Sequence, residues 1–64
     1  MWIKCKDSLI NTNNVIRFEC YDNDMIVVYT LNYNFSINFP GRSKEFIDLI
    51  NNALRNNCNY IELK

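Results

Sequence analysis

Apolar and polar residues alternate along most of this chain, and a helical period replaces the alternation only once. Trp2 to Lys6 puts Ile3 and Cys5 on one side and Trp2, Lys4 and Lys6 on the other, the two-residue period of a half-buried strand. After a turn at Asp7-Ser8, Leu9-Ile10 reads as a short second arm. Val15 to Asp22, Met25 to Leu31 and Phe35 to Phe39 alternate in the same way. Pro40-Gly41 then ends the strand signal. From Lys44 to about Asn56 the period lengthens, with Phe46, Ile47, Ile50, Ala53 and Leu54 on one stripe of a helix. Ser43 is the expected N-cap, and Glu45 suits the positive end of the helix dipole. Asn56-Asn57 suits a left-handed helix end. Asn59 to Lys64 alternates again and predicts a short final strand.

Strand register follows from the same pattern. Closing a hairpin over Asp22-Asn23-Asp24 sets Tyr21 against Met25, Cys20 against Ile26, Phe18 against Val28 and Ile16 against Thr30. Closing the next over Asn32-Tyr33 sets Leu31 against Asn34, Val28 against Ile37 and Ile26 against Phe39. Both closures turn one apolar set inward, and a one-residue slip in either destroys that agreement. The expected fold class is therefore α+β: an antiparallel four- to five-stranded β-meander in one domain spanning residues 1–64. The amphipathic C-terminal helix packs on its inner face, and the short final strand follows.

The opposite face of this sheet is too apolar for plain solvated surface, since it carries Arg17, Tyr21, Met25, Val27, Tyr29 and Leu31. In the register above, Arg17, Tyr29 and Ser36 lie side by side, and Glu19, Val27 and Asn38 form the next row. Aromatic rings beside a guanidinium can stack a planar base and hydrogen-bond its edges. Tyr, Trp, Met and Arg are also the residues enriched at interfaces between subunits. Trp2, Met25, Val27, Leu31 and Tyr60 are accordingly expected at an interface, with Trp2 and Tyr60 flanking the face. Arg17, Tyr21, Tyr29 and Ser36 are expected to meet a ligand. Arg42, Ser43 and Lys44 surround a helix start whose N–H groups could seat a phosphate, against the plainer reading of an ordinary capped helix.

Composition narrows the choice. Seven acidic and seven basic residues cancel, whereas duplex-binding proteins draw their affinity from a basic excess. Duplex nucleic acid is not the expected partner, and zero net charge leaves little self-repulsion against association. Twelve asparagines stand against one glycine and one proline, a bias typical of AT-rich coding sequence. They gather between the apolar runs, where Asn tolerates left-handed backbone in glycine's place. Cys5, Cys20 and Cys58 show no CxxC spacing and no histidine accompanies them, so free thiols in a cytoplasmic protein are expected and a metal site is not. Asp22 and Asp24 flank a hairpin tip and are expected to serve the turn. No signal peptide or membrane span is expected.

Without histidine the usual general base is missing, and no serine or cysteine sits in a nucleophile motif. No catalytic residue or cofactor is expected. Small size, asparagine bias and a hydrophobic sheet face together resemble phage accessory proteins that act by binding. The resemblance implies a homo-oligomer that sequesters a small anionic, nucleotide-type ligand, as a counter-defence sponge would. The alternative is an inhibitor or adaptor of the anti-CRISPR type, docking on a host protein through the outer sheet face.

Overall fold

A computed structural model describes all of residues 1–64. The chain runs β1 (Trp2–Cys5), β2 (Ser8–Asn11), a 3-10 turn (Thr12–Asn14), β3 (Val15–Tyr21), β4 (Met25–Thr30), β5 (Asn34–Asn38), α1 (Ser43–Arg55) and β6 (Tyr60–Leu63). The α+β class holds, but the single meander does not. The strands form two three-stranded sheets, ordered β2-β1-β6 and β3-β4-β5. β6 pairs with β1 in parallel, which an all-antiparallel sheet does not contain. The break lies at Asn11–Asn14. Asn11 Oδ1 accepts the Asn13 N–H at 3.0 Å, and both the N–H and the hydroxyl of Thr12 donate to the Met1 carbonyl at 2.9 Å. This 3-10 turn steers β3 away from β2 into a second sheet.

The two inner faces and the helix close on one core of Ile3, Cys5, Ile10, Ile26, Val28, Phe39, Phe46, Ile50 and Leu63. Phe39 and Phe46 meet edge to face with ring centroids 4.5 Å apart, a preferred aromatic geometry. No helix is long and apolar enough to cross a membrane.

The first hairpin closes as the sequence pattern predicts, with Tyr21↔Met25, Cys20↔Ile26 and Phe18↔Val28. Asp22 and Asn23 both take left-handed backbone at its tip, φ 52° and 58°. At the other end a bulge between Val15 and Arg17 pairs Val15, not Ile16, with Thr30. A bulge inserts one unpaired residue. Ile16, expected inward, is 63% exposed.

The second hairpin is shifted by two residues from the expected register: Val28 faces Phe35, Val27 faces Ser36 and Ile26 faces Ile37. Thr30 is the cause. Its hydroxyl donates to the Tyr33 carbonyl at 2.8 Å and accepts the Tyr33 N–H at 3.2 Å, closing the loop one residue earlier on each side. A two-residue shift keeps every side chain on its face, so alternation alone cannot detect it.

Ser43 is the first residue of α1 rather than its N-cap. Arg42 holds that position without a side-chain bond. The remote hairpin tip caps the helix instead: Asn23 Oδ1 accepts the Lys44 N–H at 2.8 Å, and the Asn23 carbonyl accepts the Ser43 N–H at 3.4 Å. At the far end Cys58 N–H bonds the Ala53 carbonyl and Asn57 N–H the Leu54 carbonyl, with Asn57 left-handed at φ 55°. That is a Schellman ending with asparagine in the place glycine usually takes.

Candidate functional site

The expected ligand residues fall into two separate groups. Arg17, Tyr21 and Tyr29 lie together on the outer face of β3-β4-β5, where Tyr29 stands between Arg17 and Asn34. Ser36 lines up instead with Val27 and Glu19. Glu19 organises the group. Its Oε1 meets Arg17 Nε at 3.1 Å, and its Oε2 accepts the Tyr21 and Tyr29 hydroxyls at 2.8 and 3.4 Å. The Arg17 guanidinium also covers the Tyr29 ring at 4.2 Å, a cation–π contact. A hydrogen bond shared with the Tyr29 hydroxyl and one donated to Glu19, with the carboxylate's charge beside them, hold the Tyr21 phenol well above its ordinary pKa. The cluster is therefore fixed and internally neutralised. A phosphate arriving here meets a carboxylate and a guanidinium already paired to it.

At the second group, the helix start is occupied by the chain itself. Asn23 takes the N–H groups of Ser43 and Lys44, and Asp24 Oδ1 takes the Gly41 N–H at 3.0 Å. Ser43 is fully buried and accepts the Cys20 thiol at 3.2 Å. Arg42 donates to the Lys64 carbonyl at 2.7 Å, pairs with Glu45 at 3.5 Å and lies over the Phe46 ring. Arg42 and Lys44 are both exposed, and of the two only Lys44 has a side chain without a partner.

The residues expected at an interface divide in the same way. Met25 and Val27 are half-buried on the outer face of β4. Trp2 and Tyr60 are partners across β1 and β6, so they belong to the other sheet and do not flank that face. Leu31 lies in the tight turn rather than on a strand face and is 87% exposed. No three His, Cys, Asp or Glu side chains gather where they could hold a metal. All three cysteines are free.

A surface that the sequence pattern did not predict lies where the two sheets diverge. One groove of about 530 Å³ is lined by Asn13, Asn14, Val15, Ile16, Thr30, Leu31, Asn32 and Tyr33. A second of about 230 Å³ adjoins it through Asn14, Val15, Thr30 and Tyr33, and adds Trp2, Leu9, Ile10, Asn11 and Phe35. Trp2, Leu9, Ile16, Leu31 and Tyr33 are all exposed around this surface, and no charged side chain lines it. Two departures from simple alternation create it: the bulge that turns Ile16 outward and the tight turn that raises Leu31. The asparagine clusters at Asn11–Asn14 and Asn32–Asn34 were its one sequence signal, since they mark both lips. Arg17 and Tyr29 adjoin lining residues in sequence, but neither lines the groove, and their side chains lie on the outer sheet face.

No protein-family model, curated protein or solved structure matches this chain.

Proposed function

We propose that this chain is a non-enzymatic binding protein that takes an uncharged, apolar segment of a protein partner into the groove between the sheets. The carrying observation is the gathering of five exposed large apolar side chains around a groove with no charged lining. A contiguous apolar patch of this kind is a recognition surface more often than chance exposure. The surroundings have the anatomy of a protein interface, with an apolar centre and a polar rim. Asn13, Asn14 and Asn32 supply amides at the lips.

This reading follows the inhibitor-or-adaptor expectation and moves its contact surface from the sheet face to the groove. Sequestration of a nucleotide-type anion finds less support, because the groove has no cation, Arg17 is paired with Glu19, and the helix start is capped by Asn23.

Affinity capture from cells of the source, with wild type, Tyr33→Asp and Lys44→Ala as baits, tests the proposal. A stoichiometric partner retained by wild type and Lys44→Ala but lost with Tyr33→Asp supports it, together with a blue shift of Trp2 emission on binding. A partner held equally well by Tyr33→Asp contradicts it. So does saturable calorimetric binding of nucleotides that Arg17→Ala abolishes.

A further inference from the structure

We propose that β5 pairs antiparallel, edge to edge, with β5 of a second copy about a two-fold axis through Ser36. β5 is an edge strand bonded only to β4. Thr30 N–H bonds the Tyr33 carbonyl and Phe39 N–H the Asp24 carbonyl, so the odd-numbered residues face β4. By the alternation of an antiparallel ladder, the backbone groups of Asn34, Ser36 and Asn38 point away from the sheet. Only one of them has a partner, the Asn38 carbonyl, which accepts Lys6 Nζ at 2.6 Å and keeps a second lone pair. An edge left this open is a template for another strand.

The order of residues selects a second copy as that strand. Asn34-Phe35-Ser36-Ile37-Asn38 is nearly the same read in either direction. A two-fold axis on Ser36 sets Asn34 against Asn38 of the other copy, Phe35 against Ile37 and Ser36 against itself. An axis centred on a residue also keeps each face with its like, because opposed residues of an antiparallel pair share a face. Half-buried Phe35 and Ile37 then continue both cores across the axis, while Asn and Ser meet on the outer side. No charge opposes a like charge anywhere along the pairing.

The other edges lack these properties. β3 carries Arg17 and Glu19, β6 carries Glu62, and β2 has Leu9 and Ile10, which belong to opposite faces, at its centre. The pairing shares Phe35 with the second groove, but its test reads mass rather than partner capture, so either proposal can fail alone.

Sedimentation velocity across a concentration series, with circular dichroism as the fold check, decides the matter. Wild type is expected at twice the chain mass at micromolar concentration. Ser36→Lys sets two ammonium groups against each other at the axis and raises the dissociation constant by roughly tenfold or more. Ser36→Pro removes an N–H that makes no bond within the chain and has the same effect. A monomeric wild type up to the highest soluble concentration overturns the proposal. So does a dimer that survives both substitutions.

Discussion

Asn23, at the tip of one hairpin, caps the helix that begins twenty residues later: its Oδ1 accepts the Lys44 N–H at 2.8 Å. Its amide nitrogen donates to the Gly41 carbonyl at 3.1 Å, so one side chain fixes both the helix start and the loop before it. The same residue tolerates φ 58°, which few others do. Asn23→Gly keeps the backbone and loses both side-chain hydrogen bonds, at a cost of about 1 kcal/mol. Asn23→Ala adds the left-handed penalty and costs about 2 kcal/mol or more. Urea unfolding of wild type and both variants separates the two effects: Asn23→Gly as stable as wild type would place the cap elsewhere, and two equal variants would deny the left-handed backbone.

Ile26 and Ile16 share a face in the alternation pattern but not in the structure, where they are 1% and 63% exposed. Ile26→Ala leaves a cavity under the helix and is expected to cost about 2–5 kcal/mol. Ile16→Ala removes an exposed side chain and stays within about 0.5 kcal/mol. Thermal melts of both variants test the bulge, since a regular strand would make the two costs similar.

The three thiols are expected to separate by reactivity. Cys58 is exposed, Cys20 is half-buried against Ser43, and Cys5 lies in the core, where burial raises its pKa and suppresses the thiolate. With a disulfide reagent at neutral pH, one thiol per native chain reacts fast, and Cys58→Ser removes that phase. Cys5 reacts only as the chain unfolds. A fast phase from Cys5 would be incompatible with the core described.

The Tyr21 phenol predicts a late step in alkaline titration. Its folded pKa is raised, so the protonated phenol is the form the fold favours. The stability this contributes is complete below the ordinary tyrosine value of 10.0 and is lost as pH rises through the higher folded value. Tyrosinate absorbance is expected to show one of the four tyrosines ionising after the rest, and Glu19→Gln to bring it earlier. Joint ionisation of all four, unchanged by that substitution, would exclude the cluster.

Alternation revealed the strands, the helix and the first hairpin, because Phe18, Cys20, Ile26 and Val28 leave only one register that buries them together. It could not reveal the two-residue shift of β5, which moves no side chain across the sheet. Nor could it show that Asn11–Asn14 splits the meander, since a turn between strands does not say whether those strands pair. Arg17 and Tyr29 were legible as neighbours. Period-two patterning places Glu19, which neutralises Arg17, only in the next row, because side-chain reach along a strand is invisible to it. The groove depends on the bulge at Ile16, and a bulge leaves the period of a short strand nearly unchanged.

The β4–β5 register underlies the outer face, the groove lip at Tyr33 and the open Ser36 edge alike, and backbone proton contacts measure it directly. Pairs that exchange no hydrogen bonds bring their α-carbons within about 4.5 Å, close enough for strong α-proton contacts. In a two-dimensional nuclear Overhauser spectrum, such contacts are expected between Val27 and Ser36 and between Met25 and Asn38. A strong contact between Val27 and Asn38 instead, with none to Ser36, would contradict the account.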